Sequence, residues 1–351
     1  MTEVEKKNMS AGKKAAIAIA LVIILIAGYF ALNLYKIYFA PNVTENQKYL
    51  YIKTGSDFNS LMDELKKKDM LKSISAFEAA ADKMNLAANI EPGRYRLKKG
   101  MTNRTLINMI KAGNQDPVKL KFQGIRKKEN FAAYLSNNLE PDSLSFIRVL
   151  DSAALISKYG FNQDNIYTIF IPNTYEMYWN VSPADFLERM HKEYEKFWNA
   201  DRKQKAASLN LNPAQVYTLA SIVDAEALYD KEMPIIAGLY LNRLNKGILL
   251  QADPTVIFAN NDFTVKRVTN KLLQVQSLYN TYKYAGLPPG PIMMPSINAI
   301  DAVLNRDQNS YIYMCAKEDF SGYHNFATTK EQHEINAKKY REALNKRNIF
   351  K

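Results

Sequence analysis

Cysteine is almost missing from this chain. Cys315 stands alone among 351 residues, so no intrachain disulfide can form. Cysteine-built zinc sites and Cys-x-x-Cys redox chemistry are excluded with it. Histidine is nearly as scarce. His191, His324 and His333 are all there is, and no His-Glu-x-x-His pattern joins them, which argues against a zinc hydrolase. No glycine-rich phosphate loop follows a strand-like run, and no repeat or low-complexity tract occurs. The expectation is therefore a protein without metal or cofactor. Acids are in short supply as well: 35 Asp and Glu against 47 Lys and Arg leave a formal charge of +12. Such an excess suits an anionic partner, whether a membrane surface, an acidic polymer or nucleic acid. No compact Arg/Lys cluster or nucleic-acid motif accompanies it, so nucleic acid is not the expected partner. Apolar residues are plentiful. At 47% hydrophobic, with 22 Tyr and 16 Phe, the chain can fill one large core or two modest ones.

Charge vanishes altogether from Ala15 to Leu32, an aliphatic run that Asn33 to Tyr35 prolongs. A helix rising about 1.5 Å per residue over 15–35 can cross a hydrocarbon core of about 30 Å. A cleaved signal peptide fits poorly. Its best cleavage point would follow Ala40, where Tyr38 is too large and Pro41 comes next. The reading is a transmembrane anchor. Residues 1–14, carrying Lys6, Lys7, Lys13 and Lys14, would be a cytoplasmic tail, and the rest of the chain would lie across the membrane.

Residues 36–47 read as a short tether. Over 48–115 come a strand at Tyr49–Lys53, a helix capped by Ser56, a helix over Ser73–Lys83, a turn and strand at Pro92–Leu97, and a helix over Asn103–Lys111. This small α+β unit resembles a LysM-like module, a class associated with peptidoglycan glycan. A membrane-proximal spacer is the plain alternative. Gly113–Pro117 is rich in turn formers and suits a boundary. Residues 118–351 read as a larger α+β domain, so the fold class is α+β throughout. Its first part has a strand at Val118–Phe122, helices over Glu129–Asn137, Asp142–Ser152 and Pro183–Asn199, and a strand from Ile169 running into a polar turn near Glu176. Two further helices follow, Asn212–Ala227 and Asp230–Asn245. Beyond Gly247 the pattern changes to loops, with a strand at Tyr311–Ala316.

The Asn212 helix carries the chemistry. Asn212 is a good N-cap and Pro213 suits the first helical position. At about 100° per residue, Glu226 shares a face with Leu219, Ile222 and Val223, while Asp224 points elsewhere. A carboxyl among aliphatic neighbours has its ionised form disfavoured and can donate a proton near neutral pH. The alternative is a Glu that pairs with a basic residue on a neighbouring element. Downstream, Gln251-Ala252-Asp253-Pro254-Thr255, Tyr279-Asn280-Thr281-Tyr282 and Gly322-Tyr323-His324-Asn325-Phe326 set amides, hydroxyls and aromatic faces where sugars could use them. Gly286-Leu287-Pro288-Pro289-Gly290-Pro291-Ile292 fixes a stiff wall. Each patch could equally be a turn whose side chains satisfy backbone groups.

Taken in order, Leu219-Ala220-Ser221-Ile222-Val223, Glu226, Asn242-Arg243-Leu244, Gln251 to Val256, Tyr279 to Tyr282, Gly286 to Ile292 and His324-Asn325-Phe326 resemble the endolytic murein transglycosylase (MltG, YceG-like) family. The resemblance covers about residues 118–340. It places the family's catalytic glutamate on Glu226, with Asp224 as a shortened first acid of uncertain role. It makes Gln251, Asp253, Thr255, Asn280, Tyr282, Asn173, Tyr175 and His324 candidate substrate-binding residues. The family often reads Glu-Gly-aromatic-x-x-Pro-Asp-Thr upstream, where this chain has Tyr167 to Thr174 without those acids. What the resemblance implies is cleavage of the β-1,4 bond between N-acetylmuramic acid and N-acetylglucosamine inside peptidoglycan strands, leaving 1,6-anhydro ends. It also implies a bacterial inner-membrane location and peptidoglycan synthases as partners. A non-catalytic peptidoglycan-binding scaffold of the elongation or division machinery is the alternative.

Overall fold

The computed structural model describes residues 11–265 and 267–347; most of the expected cytoplasmic tail, residues 1–10, lies outside the described residues. The chain is α+β, with helices predominating and, among the described residues, three two-stranded sheets. It divides into two compact units. One holds the chain up to Val118 together with Tyr178–Asn180; the other holds Lys119–Met177 and Val181 onward.

The first unit begins with α1 (Ala11–Tyr38), 28 residues long. At about 1.5 Å per residue this is about 42 Å, enough to span a bilayer with turns to spare. Ile17, Leu21, Ile24, Leu25 and Leu32 are exposed, as expected of a helix whose surroundings are lipid rather than protein. Its last turn differs. Ile37 and Tyr38 pack on the core of the unit, and the Asn103 amide donates to the Ile37 carbonyl at 2.8 Å. Nor is the following segment a loose tether. The Asn42 and Val43 N–H groups donate to the Met101 carbonyl, and Lys72 N–H donates to the Asn42 carbonyl. The buried Asn42 side chain bonds Asn103 Oδ1 at 2.7 Å and both backbone groups offered by Ser73. With so many buried polar groups satisfied, the end of α1 and the segment after it are bonded into the folded unit.

Beyond it run β1 (Tyr49–Ile52), α2 (Phe58–Lys67), α3 (Ile74–Lys83), β2 (Gly93–Arg96) and α4 (Asn103–Lys111). β1 and β2 are antiparallel, with Leu50 opposite Tyr95. Leu61 and Leu65 of α2, Phe77 of α3 and Leu106, Ile107 and Ile110 of α4 fill the core. The cap of α2 is Asp57 rather than Ser56, and its carboxylate accepts from Ser60 N–H at 2.8 Å. Both residues are competent caps; the β1 turn sets the register one residue later.

The second unit takes β3 (Val118–Phe122) from Lys119 onward, then α5 (Lys128–Asn138), α6 (Ser143–Asp151) and α7 (Ala153–Ser157). The stretch from Ile166 departs from expectation. Ile166–Ile169 is a buried 3-10 turn, and the strand, β4 (Asn173–Met177), forms from the polar residues after it and pairs with β3. The apolar run is buried because it is core, with Phe131 and Phe170 meeting edge to face at 4.7 Å. An apolar run of that length cannot by itself distinguish a strand from a turn of helix.

Next come α8 (Pro183–Phe197), α9 (Ala200–Ser208), α10 (Pro213–Glu226), α11 (Met233–Asn245), α12 (Asp253–Asn260), α13 (Ile297–Leu304), the antiparallel hairpin of β5 (Tyr313–Ala316) and β6 (His324–Ala327), and α14 (Lys330–Lys346). The region past Gly247 is therefore not all loop. Pro254, placed in the first turn of α12, starts a helix where composition suggested only a turn. Gly290 is required by close approach, since a Cβ there would lie 2.0 Å from the Asp164 carbonyl oxygen.

Candidate active site

The central helix α10 starts with a full capping box. Asn212 Oδ1 accepts from Gln215 N–H, and Gln215 Oε1 accepts from Asn212 N–H, each at 2.9 Å. From Val216 to Val223 every residue is buried, so the helix is core on all sides rather than a striped one. Ser221 Oγ donates to the Thr218 carbonyl at 2.7 Å and accepts from Ile292 N–H at 3.1 Å, fixing the proline-rich wall against the helix. The first and last turns emerge, the last of them at the cleft. There the two acids part as their spacing predicts. Asp224 turns to α13, accepting from Ser296 N–H at 3.0 Å and Ser296 Oγ at 2.8 Å, so it stabilises the start of that helix. Glu226, the final residue of α10, lines a cleft of about 320 Å³.

No cation pairs with Glu226 among the described residues. Its partner is the buried Tyr240 hydroxyl of α11, which donates to Oε1 at 2.9 Å. Burial is the main cause that pushes the Glu226 carboxyl up to about 7; the Tyr240 hydrogen bond pulls it down and the negative Asp253 pushes it further up. The negative end of α10 acts in the same direction as burial, since a carboxylate in the last turn meets unsatisfied carbonyls. The pKa is raised on folding, so the proton-linked stability is complete below the unfolded value and is lost as pH rises through about 7. Replacing Tyr240 with Phe removes the one influence that favours the carboxylate. The Glu226 titration should then move up by about one pH unit, the size of one hydrogen bond to a charged group. Carbon-13 glutamate NMR would follow it directly, and a downward move would show that the hydroxyl does not favour the ionised form.

Opposite Glu226 the cleft is edged by Asp253, Gln251 and Tyr282. The Tyr282 hydroxyl donates to Asp253 Oδ1 at 2.5 Å, which orients that carboxylate at the first turn of α12. Gln251 sits in the left-handed region, φ 52°, and its side-chain oxygen accepts from Arg243 at 2.6 Å. Arg243 and Tyr240, one helical turn apart on α11, were absent from the sequence-derived site although both line the cleft. His324 lines it too, from β6, with its ring Nδ1 2.9 Å from a carboxylate oxygen of the buried Glu232. His333 of α14 closes the far side, stacked on Tyr313 with centroids 5.1 Å apart.

Four expected binding residues lie elsewhere. Thr255 and Asn280 are fully buried, so nothing entering the cleft touches them. Thr255 Oγ1 bonds the Ala252 carbonyl and Thr281 Oγ1, while the Asn280 amide holds the Leu273 and Val275 carbonyls at 2.9 Å. Both shape the wall from behind. Tyr175 is a core residue stacked on Phe122, its hydroxyl donating to the Ile171 carbonyl. Asn173 is exposed on β4, outside the cleft lining. A polar residue that satisfies backbone in a turn and one that meets a ligand look alike in sequence.

Fold and cleft together describe an α+β protein with a carboxyl of raised pKa lining a polar cleft, on a chain with an N-terminal helix long and apolar enough to cross a membrane. More particularly, the chain belongs to the YceG-like family, whose model matches residues 50–339. Its relatives include the endolytic murein transglycosylase of Bacillus subtilis (strain 168), 28% identical over 84% of this chain and 85% of that protein. The endolytic murein transglycosylase of Streptococcus pneumoniae serotype 2 (strain D39) is 24% identical over 90% of this chain. This chain spans 63% of the longer pneumococcal protein. Among solved structures, a YceG-like protein from Listeria monocytogenes shares the fold with TM-score 0.55 at 24% identity, covering 83% of this chain and 99% of that one.

Proposed function

We propose that this protein is a lytic transglycosylase that cuts the MurNAc-β-1,4-GlcNAc bond within peptidoglycan strands. The observation that carries the proposal is Glu226, half-buried on the cleft, bonded to the Tyr240 hydroxyl with no cation paired to it among the described residues, its carboxyl pushed up to about 7 by burial. The names of the relatives from Bacillus subtilis and Streptococcus pneumoniae support it. Most glycosidases divide the labour between two carboxyl groups, one of which acts as nucleophile or activates water. Here the second acid in the cleft, Asp253, is engaged by the Tyr282 hydroxyl. A single acid suffices if the substrate attacks itself. Protonated Glu226 gives its proton to the glycosidic oxygen as the C1–O bond breaks. The muramyl C6 oxygen closes on C1, and the Glu226 carboxylate takes the C6 hydroxyl proton. No water is consumed, and the acid is restored for the next cycle. Asp253 supplies negative charge to the oxocarbenium-like centre, with Gln251, Tyr282 and His324 holding the sugar.

In the same reading α1 anchors the protein in the inner membrane with the N-terminus in the cytoplasm and both folded units on the far side, beside peptidoglycan synthases. The order strand, helix, helix, strand in the first unit supports a LysM-like role in holding glycan. Incubating the full chain in detergent with purified glycan strands should give fragments one water lighter than hydrolysis products. Reducing ends in their place would mean that water is the nucleophile, and binding without any fragments would favour the scaffold.

A further inference from the structure

Glu232 lies in the short 3-10 turn before α11 and is almost completely buried, yet no Lys or Arg pairs with it among the described residues. Both of its oxygens go to one residue 92 positions away. Oε1 accepts the backbone N–H of His324 at 2.7 Å, and Oε2 lies 2.9 Å from ring Nδ1 of the same histidine. Holding one residue by main chain and ring together fixes both the position of β6 and the rotation of the imidazole. The ring is part of the cleft wall that also carries Glu226.

We infer that Glu232 is a positioning residue that sets the tautomer of His324 and so the polarity of the atom offered to substrate. A carboxylate only accepts, so Nδ1 must carry the proton. In the neutral ring Nε2 is then a bare acceptor, the one free polar atom of the side chain, available to a hydroxyl or acetamido N–H of the glycan. Two neighbours on the cleft cannot replace it: Arg243 can only donate, and the Gln251 side-chain oxygen is already taken by Arg243. In its neutral form His324 thereby supplies an uncharged acceptor. It can hold a sugar donor without adding a charge that would compete for the Glu226 proton. This inference rests on the glycan reading above for the identity of the donor, but the tautomer does not.

Glu232→Gln is nearly isosteric and inverts the pattern. The amide oxygen keeps the His324 N–H, and the amide nitrogen now faces Nδ1, driving the ring proton to Nε2. A donor then meets the glycan donor. With only three histidines in the chain, nitrogen-15 histidine NMR of the full protein in bilayers at pH 8 resolves the ring directly. The wild type should show His324 protonated at Nδ1, and the variant should show it at Nε2. The wild-type spectrum decides the tautomer whether or not the variant folds. In glycan cleavage, Glu232→Gln and His324→Ala should each lower kcat/KM about tenfold or more, since a hydrogen bond to substrate is lost. The double variant should be no slower than His324→Ala alone, because Glu232 acts through that ring. A wild-type ring protonated at Nε2 or at both nitrogens would overturn the inference, as would losses that multiply in the double variant. Hydrolytic products from the wild type, with tautomer and coupling as described, would instead sink the transglycosylase reading alone.

Discussion

Replacing Glu226 with Gln should lower the rate of anhydro-fragment formation by at least about 10²-fold, with the protein still folded and still binding glycan. The substitution keeps shape and hydrogen bonding, since the amide oxygen can accept the Tyr240 hydroxyl as the carboxylate does at 2.9 Å. What disappears is the proton, needed once for the leaving oxygen and again, in reverse, for the attacking hydroxyl. Stability should move the other way. Burial pushes the wild-type carboxyl up to about 7, so above that pH folding must bury an anion, whereas the amide is neutral throughout. The variant should thus melt at or above the wild-type temperature at pH 8 to 9. Below about pH 4.5, the ordinary glutamate range, the two should converge, because both side chains are then neutral in both states. Wild-type activity should fall as pH rises through about 7 as the acid form is depleted, approaching tenfold per unit. Undiminished turnover in Glu226→Gln would show that another group supplies the proton.

The capped helix and its spacing foretold that Glu226 and Asp224 turn apart, but they left open a Glu paired with a basic residue; it was the ordered motifs downstream, and the family they resemble, that singled out Glu226. Even so, the helix proved buried all round, so the apolar face of Leu219, Ile222 and Val223 did not by itself aim the carboxyl at the cleft. Emergence of the last turn did that, and it depends on where α11, α12 and the β5–β6 hairpin end. The Tyr240 hydroxyl and the Glu232–His324 pair were not legible for the same reason. Each contact joins elements 14 and 92 residues apart, respectively, and no periodicity encodes which turns will meet. Thr255 and Asn280 show the converse. Their residue types suited a ligand, but the backbone carbonyls nearby needed donors first. Among elements, the long capped helices were readable. The 3-10 turn at Ile166–Ile169 and the proline-started α12 were not, since apolar runs and polar turns each admit two structures.

Arg243→Met should be the most destabilising single change in the cleft, by about 3 kcal/mol, about 1 kcal/mol for each of the acceptors its guanidinium satisfies. Arg243 is a buried residue of α11 with no acid paired to it among the described residues, and burial lowers its pKa. Three directions of its fork are used. Nε donates to the Leu249 carbonyl at 2.8 Å, Nη1 to the Ile312 carbonyl at 2.5 Å, and Nη2 to Gln251 Oε1 at 2.6 Å. These acceptors belong to the turn after α11, the approach to β5 and the residue held at positive φ before α12. One guanidinium therefore gathers three walls of the cleft. Met preserves most of the length and all of the apolar stem but leaves those acceptors without a donor. Thermal unfolding of the full chain in detergent should shift down by about 10 °C, taking 2–4 °C per kcal/mol for a domain of this size. Lys keeps the charge but cannot reach three acceptors in the fixed geometry of the fork, so it should fall in between. Freed from Arg243, Gln251 should lose its orientation, and KM for glycan should rise with kcat less affected. A Met variant that melts within about 2 °C of the wild type would mean that water in the cleft satisfies the three carbonyl oxygens as well as the guanidinium does.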